Sequence, residues 1–318
     1  MEWDALSLVE AAAERPLIER RAVLRGGFYE MQARTVIERV AASAGLAQEW
    51  GVSPYRGCAH ACVGCGARGG HRRLGLDAGR DFDTRVVVKA NAVERLRAEL
   101  GRWDGRPLAV GVSGDVYQAA ERTYRLMPGL VGALGAAGVP FTVYTKSPLV
   151  LRDAALLVEA GAQVAVSIAF VDERIRRAVE PGAPSAQARL ELVAALVEAG
   201  VECRVRMSPV LPLLGDGADQ LAATVRRIAQ TGASGVEAVV LRLPPATRAW
   251  FERWLGGEHP GLVERYAELF DGAGFPSADY EGRISGQIAA LCGRYGLPYG
   301  APLPRVRAAV GAAQLSLV

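Results

Sequence analysis

Short apolar segments alternate with amphipathic stretches through the middle of this 318-residue chain. Each apolar segment is rich in β-branched residues and is bounded by turn-forming residues, which favours a buried strand. The predicted strands are Arg85–Lys89, Leu108–Val112, Phe141–Thr145, Gln163–Ala169, Glu202–Met207 and Val236–Leu241. The predicted helices are Ala92–Leu100, Thr123–Ala137, Leu149–Ala160, a segment capped by Ser185, and Ala218–Gln230.

Strands and helices that alternate in this way form βαβ units around a parallel sheet. About six units follow or overlap a cysteine-rich loop that runs from Gly51 to about Arg80. This number is smaller than the eight units of a complete barrel. The sequence therefore predicts an α/β fold, a partial (β/α)6 TIM-like barrel over residues 51–245. In such barrels the chemistry takes place at the C-terminal ends of the strands.

The two ends of the chain are predicted to lie outside the barrel. Residues 1–50 form an N-terminal extension, in which apolar residues at helical spacing predict a helix over Arg34–Ala44 that ends near Gly45. Residues 246–318 form a helical tail. The helical segments predicted in this tail are Trp250–Leu255 and Leu262–Phe270.

Charge narrows the possible function classes. The chain carries 37 basic and 34 acidic residues, a formal net charge of +3, and the two signs interleave along it. Nucleic-acid-binding proteins usually show a strong basic excess on one face, so this balance does not favour such a function. Arg68, Arg72 and Arg73 follow the cysteines directly and are the candidates for a local basic patch; a solvated loop is the alternative.

The sequence also predicts a cytoplasmic location without a membrane partner. No stretch is long and apolar enough to span a bilayer, and residues 1–21 carry acids and lack the continuous apolar run of a secretory signal. Five cysteines, three of them crowded together, do not suit a disulfide framework. The isolated Cys203 and Cys292 are expected to be small core residues.

The crowded cysteines Cys58, Cys62 and Cys65 have the spacing CxxxCxxC. Three thiolates from one loop can hold three irons of a [4Fe–4S] cubane and leave the fourth iron open, whereas ordinary electron-transfer clusters use four cysteines. An open iron can chelate the amino and carboxylate groups of S-adenosylmethionine (SAM). One electron then breaks the S–C5′ bond and gives a 5′-deoxyadenosyl radical, which removes hydrogen from an otherwise unreactive carbon.

Two other kinds of site remain open for these cysteines. A zinc ion would use the three thiols with His60 or His71, although zinc sites usually combine two separated CxxC pairs and the sequence has no second pair. A redox dithiol formed by Cys62 and Cys65 would leave Cys58 unexplained.

Further landmarks accompany the cysteine motif in a fixed order. They are Pro54-Tyr55-Arg56-Gly57, Asp115-x-Tyr117-Gln118, Thr145-Lys146-Ser147, Val166-Ser167, Glu180-Pro181-x-Ala183-Pro184-Ser185 and Pro209-Val210-Leu211-Pro212. With CxxxCxxC, they make residues 54–244 resemble the spore-photoproduct-lyase-like branch of the radical SAM superfamily. The fold of that family is the partial barrel predicted above, and its cofactors are a [4Fe–4S] cluster and SAM.

The resemblance implies roles for the residues that follow strand Leu108–Val112. Ser113, Gly114 and Asp115 occupy the family's segment for the methionine part of SAM, where a backbone carbonyl and an acid would bond the ammonium group. Tyr117 and Gln118 lie just beyond and are the candidates for residues that face the substrate. Core packing is the alternative for Tyr117.

Residues at the later strand ends receive the remaining roles. Lys146 would pair with the SAM carboxylate through a charge-assisted bond. Ser167 and Glu180 would bond ribose hydroxyls or the amino group. Arg189 would contact the carboxylate or lie on a helix surface, and Leu211 would pack against adenine.

Two departures from the family pattern bear on the reaction. Relatives usually have an aromatic residue just before the third cysteine and often a tyrosine just after it, whereas this chain has Gly64 and Gly66. We expect these glycines to enlarge the space beside the cluster and to suit a bulkier substrate. Photoproduct lyases use a cysteine hydrogen donor near the position of Val112, and no cysteine occurs between Cys65 and Cys203. Repair of thymine dimers by that route is therefore not favoured.

The resulting hypothesis is a radical SAM enzyme that acts on a small organic substrate, a nucleoside, nucleotide or biosynthetic intermediate. A reducing partner such as flavodoxin or ferredoxin would supply the electron. A DNA or RNA repair or modification enzyme is the alternative within this chemistry, and a non-catalytic zinc-binding protein is the alternative outside it. The repair enzyme would be favoured by a basic rim formed by Arg68, Arg72, Arg73 and Arg283.

Overall fold

The computed structural model of the protein describes residues 22–25 and 28–300. The predictions for residues 1–21 and for the end of the tail, 301–318, lie outside these residues. The strands described are β1 (Ala22–Arg25), β2 (Phe28–Met31), β3 (Ile37–Arg39), β4 (Trp50–Val52), β5 (Tyr55–Arg56), β6 (Val87–Lys89), β7 (Leu108–Val110), β8 (Phe141–Thr145), β9 (Gln163–Ser167), β10 (Glu202–Val210) and β11 (Val236–Val240).

These strands form two sheets. The larger sheet has the order β3-β4-β7-β8-β9-β10-β11, and the smaller sheet has the order β1-β2-β6-β5. Every neighbouring pair from β4 to β11 is parallel, and β3 is added antiparallel at the β4 edge. Six parallel strands therefore form the wall of a partial barrel, and the predicted α/β fold is confirmed.

Helices connect the strands and cover the larger sheet. They are α1 (Arg80–Thr84), α2 (Ala92–Leu100), α3 (Ala119–Tyr124), α4 (Leu126–Ala136), α5 (Ala154–Glu159), α6 (Glu173–Val179), α7 (Ala186–Glu198), α8 (Ala218–Ala229), α9 (Pro245–Glu258), α10 (Val263–Leu269) and α11 (Ala278–Arg294). The apolar faces of α4, α7 and α8 share one core with the buried strands. Among the described residues, no helix is long and apolar enough to cross a membrane.

The predicted helix over Arg34–Ala44 is wrong. The chain there forms strand β3 and a single 3-10 turn, Ala42–Ala44. The backbone N–H groups of residues 36 and 37 donate to the Glu99 carboxylate at 2.9 Å, and β3 pairs with β4. These partners come from distant parts of the chain, and their contacts override the helical spacing of the apolar residues.

The strand predicted at Arg85–Lys89 exists as β6 but lies outside the barrel. It pairs with β2 and β5 in the smaller sheet. The barrel takes its sixth strand from β4, only three residues long and placed before the cysteines. Strands β5 and β6 of the smaller sheet therefore lie between β4 and β7 in the sequence, whereas β1 and β2 precede β4.

The helical tail is confirmed within the described residues. Helix α9 packs against the cysteine loop, and α11 packs against β11 and α8. After α11 the chain returns to the free edge of β11, where the Val236 N–H donates to the Pro298 carbonyl at 2.8 Å and the Gly300 N–H donates to the Val236 carbonyl at 2.9 Å.

Candidate active site

A cavity of about 320 Å³ opens at the C-terminal ends of the six parallel strands. Each strand contributes the residues that end it or follow it, as expected for a barrel of this kind. The contributions are the cysteine loop after β4, Ser113 after β7, Lys146 after β8, Ser167 at the end of β9, Leu211 after β10 and Arg242 after β11.

The structure brings ten of the thirteen predicted site residues to this cavity. They are Cys58, Cys62, Cys65, Ser113, Gly114, Asp115, Lys146, Ser167, Glu180 and Leu211. Tyr117, Gln118 and Arg189 lie behind its wall. Tyr117 donates a hydrogen bond from its hydroxyl to Asp153 at 3.0 Å within the core.

The cysteine loop is fitted closely against two neighbouring loops. Gly114 has a φ of 146°, and a Cβ at this position would lie 2.7 Å from the Gly57 carbonyl oxygen. A Cβ on Gly182 would lie 2.1 Å from the Ala59 carbonyl oxygen. Only glycine permits both approaches, so the loops after β7 and α6 fix the path of the chain around Cys58.

Burial suppresses ionisation of the Cys58 and Cys62 thiols. Burial raises the pKa of Cys58 to about 12, with a further contribution from the negative charge of Asp115. Burial likewise raises the pKa of Cys62 well above its usual value. A thiolate here is disfavoured without a compensating positive charge, so this donor set suits a bound cationic metal group.

The carboxylate of Asp115 joins the ends of two barrel strands. One oxygen accepts hydrogen bonds from the Thr145 hydroxyl at 2.7 Å and the Tyr117 N–H at 2.9 Å. The other accepts from the Lys146 N–H at 2.7 Å and lies 3.5 Å from Nδ1 of His60. The chain itself therefore supplies three donors to this acid.

A buried charge cluster lies beside Cys62. Glu180 is 2% exposed and contacts Lys146 at 3.4 Å and Arg189 at 2.8 Å. Burial alone would raise the pKa of Glu180, but the two cations outweigh it and the pKa is lowered. Arg189 also donates to the Ser167 carbonyl at 2.9 Å, so Arg189 orients Glu180 from behind the cavity wall.

Comparisons with known proteins identify the family. Residues 52–228 match the model of the Radical SAM superfamily. The chain belongs to this superfamily. An uncharacterized protein of Mycobacterium tuberculosis is 42% identical over 276 residues, which cover 85% of this chain and 81% of that protein. An uncharacterized protein of Acidianus two-tailed virus is 29% identical over 186 residues, covering 56% of this chain and 61% of its own length.

Solved structures share the fold. Spore photoproduct lyase with bound AdoMet and dinucleoside spore photoproduct matches with a TM-score of 0.69 and 12% identity, over 86% of this chain and 80% of that chain. The predicted membership of the radical SAM superfamily is confirmed, and the likeness to spore photoproduct lyase is one of fold. The protein is thus an enzyme of radical chemistry, and its family implies SAM and a [4Fe–4S] cluster.

The three cysteines fit the cluster of a radical SAM enzyme. They come from one loop, they line one cavity, and the CxxxCxxC spacing leaves one iron of a cubane without a protein ligand. The zinc alternative gains no support, because Nε2 of His71 faces the Arg85 carbonyl at 3.0 Å and Nδ1 of His60 faces Asp115. Within the described residues, no three His, Cys, Asp or Glu side chains are grouped to hold a metal ion. A cubane, being wider than a single ion, takes thiolates set farther apart.

The two glycines beside Cys65 differ in what they provide to this radical SAM site. A Cβ on Gly64 would lie 2.7 Å from Cδ1 of Leu241, so the space next to Gly64 is filled by the end of β11. A Cβ on Gly66 would have Ser43 Oγ as its nearest neighbour, at 3.9 Å. Gly66 therefore faces open volume, whereas a side chain at Gly64 would have to displace the end of the Leu241 side chain.

The basic rim that would have favoured a repair enzyme is not formed by all four arginines. Arg72 and Arg73 are exposed, and Arg73 lines the cavity. Arg68 is instead completely buried. Its guanidinium donates to the Cys62 carbonyl through Nε at 2.9 Å and through a terminal nitrogen at 2.8 Å, so Arg68 belongs to the interior of the cysteine loop.

The cavity residues that the sequence analysis did not select include Glu38, Tyr144 and Arg242. Glu38 accepts from the Ser113 hydroxyl at 2.7 Å and pairs with Arg56, but it lies in the segment wrongly predicted as a helix. Tyr144 and Arg242 stand at the ends of predicted strands. The strand-end rule that selected Lys146 could also have selected Arg242.

Proposed function

We propose that this protein uses SAM and a [4Fe–4S] cluster held by Cys58, Cys62 and Cys65 to produce a 5′-deoxyadenosyl radical that removes hydrogen from a small organic substrate. The observation that carries the proposal is that the three thiols share one cavity with residues at the ends of the other five parallel strands. When bound, the two cofactors supply the radical chemistry, while the protein orients the reactants and excludes water.

The polar wall of the cavity is assigned to SAM. Lys146 offers an ammonium group to the SAM carboxylate, and Ser113, Gly114 and Ser167 offer hydroxyl or backbone groups. Asp115 already receives three hydrogen bonds from the chain, so we assign it the task of fixing the Lys146 segment as well as attracting the SAM ammonium group.

Further SAM contacts follow from the charge cluster and from β10. Glu180 is held ionised by its two cations and is assigned to a ribose hydroxyl or the amino group, with Arg189 acting through it. Leu211 is 1% exposed and lines the cavity, which suits the adenine ring.

The residual volume is assigned to the substrate. A nucleoside, nucleotide or similar biosynthetic intermediate matches a cavity of this size better than duplex DNA. Val112 lines the cavity where a photoproduct lyase would need its thiol donor, which disfavours that reaction. Because Tyr117 and Gln118 lie behind the wall of the cavity, neither residue is assigned a contact with the substrate.

We further propose a cytoplasmic enzyme that takes its electron from a flavodoxin or ferredoxin. The division into an extension (1–50), a barrel (51–245) and a tail (246–318) is also part of this proposal. The tail is assigned a role in the active site, because α9 packs on the cysteine loop.

Anaerobic reconstitution with iron and sulfide tests the proposal. After reduction with dithionite in the presence of SAM, the protein should form 5′-deoxyadenosine. Cys58→Ala, Cys62→Ala and Cys65→Ala should each abolish cluster assembly and this product, whereas the control variants Cys203→Ala and Cys292→Ala should retain both. Binding of one zinc with no iron or sulfide would refute the proposal.

A further inference from the structure

Arg68 is an unusual side chain for its position. It has no exposed surface, although it stands among the polar residues of a 3-10 segment, Gly66–Leu74. Besides its two bonds to Cys62, it donates to the carbonyls of Ala78 at 3.1 Å and Gly79 at 3.0 Å and to Asp83 at 2.7 Å. All five of these bonds lead to the cysteine loop or to the chain that wraps around it.

Two aromatic rings hold the guanidinium in place. Its central carbon lies 5.0 Å from the ring centre of Phe82 and 5.1 Å from that of Trp250. Both contacts lie within the range of cation–π attraction. The nitrogen atoms of the Arg68 guanidinium are hydrogen-bonded and two aromatic rings lie close to it. Its positive charge is therefore held at one position in the interior.

The other two cysteines are held by neutral groups. The Gln118 amide donates to the Gly57 carbonyl at 2.9 Å and accepts from the Ala59 N–H at 3.4 Å, on either side of Cys58. The Thr247 hydroxyl of α9 donates to the Cys65 carbonyl at 3.0 Å. Among these three anchors only Arg68 carries a charge.

We propose that Arg68 is a positioning residue that holds Cys62 for the cluster and whose fixed charge favours the one-electron reduction of that cluster. This inference rests on the proposed function. An added electron is stabilised by a nearby cation, and a buried cation is poorly screened by salt. Asp83, which is the partner of Arg68, weakens this effect.

The test is a potentiometric titration of the reconstituted cluster, followed by electron paramagnetic resonance, with iron content measured on each sample. Arg68→Met should lower the equilibrium constant for one-electron reduction at least tenfold, about 59 mV. Asp83→Asn should shift the constant in the opposite direction. Arg68→Lys should restore most of the wild-type potential, because it keeps the charge, yet it should bind less iron because it loses the planar fork.

Arg72→Met is the matched control, since Arg72 is exposed on the same 3-10 segment, and its potential should equal that of the wild type. If Arg68→Met assembles no cluster, the Arg68→Lys and Asp83→Asn variants decide the question. The inference would be overturned if the equilibrium constant for one-electron reduction stayed within threefold of the wild-type value in both Arg68→Met and Asp83→Asn. Where Arg68→Met binds no cluster, the same result in Asp83→Asn alone would overturn it. A wild-type protein that binds no iron would instead refute the proposed function.

Discussion

Buried charge beside the cavity is organised residue by residue. Glu180 has two cationic partners, Lys146 and Arg189, so the loss of either one leaves the carboxylate paired. Removal of the only partner of a buried charge is usually strongly destabilising. The arrangement therefore leaves Lys146 free to turn towards a ligand without stranding Glu180.

This freedom makes Lys146→Met an informative variant. We expect the fold and the cluster to persist while SAM binds about tenfold more weakly, the scale of one charge-assisted hydrogen bond. Isothermal titration calorimetry with the reconstituted protein measures the affinity. Lys89→Met is the control, because Lys89 is the other lysine of the chain and does not line the cavity. Unchanged SAM affinity in Lys146→Met would remove the assigned role.

At the scale of elements, the cysteine loop is positioned by loops that belong to other βα units. The Gly182 N–H donates to the His60 carbonyl at 3.1 Å, and the Val63 N–H donates to the Val179 carbonyl at 2.9 Å. These bonds tie the loop after β4 to the chain around the end of α6. The proposed cluster site therefore depends on elements more than a hundred residues apart in the sequence.

Two glycine substitutions compare a position in close backbone contact with a position that faces open space. Gly182→Ala places a methyl group 2.1 Å from a backbone oxygen, which cannot rotate away. We expect it to destabilise the protein by about 1–3 kcal/mol and to lower iron incorporation. Gly66→Ala meets its nearest atom at 3.9 Å and should change neither. Urea denaturation and iron analysis give both results, and equal behaviour of the two variants would contradict the close packing around Ala59.

Strands and helices were predictable where the chain makes its own pattern. Phe141–Thr145 has the predicted bounds, because a largely buried strand needs only an apolar run between turns. The segment Arg34–Ala44 failed because its structure depends on Glu99 and β4, which no local pattern reveals. The cysteine motif could be recognised because it is local: its three cysteines lie within eight residues of each other.

The residues that anchor the cysteine motif could not be predicted from the sequence. Gln118 reaches the Gly57 carbonyl across 61 positions and Thr247 reaches the Cys65 carbonyl across 182. A glutamine after a strand and a threonine near the start of a helix are common residues in common places. Their roles arise only when the barrel and the tail close around the loop.

On the scale of the whole molecule, the cysteine loop joins the barrel to the tail. Trp250 and Thr247 of α9 contact Arg68 and Cys65, and Phe251 belongs to an apolar cluster that also contains Val63. A ligand that binds only the folded state stabilises it. The bound cluster should therefore stabilise both parts together.

Anaerobic removal of iron with a chelator should lower the thermal unfolding midpoint of the wild-type protein by roughly 3 °C or more, the scale of 1 kcal/mol or above in a protein of this size. Differential scanning calorimetry before and after chelation measures the shift. The Cys62→Ala variant, treated identically, should show none. An equal midpoint for loaded and stripped wild type would indicate that α9 packs on the loop independently of metal.

The bond between Thr247 and Cys65 also has a consequence during synthesis. The partner of Cys65 is translated 182 residues later, which takes on the order of 10–40 s at ordinary ribosomal rates. For that interval the nascent chain carries three unassembled thiols beside a loop that lacks one of its anchors. Cluster delivery is therefore expected to follow the synthesis of α9, when the chain can close around its metal.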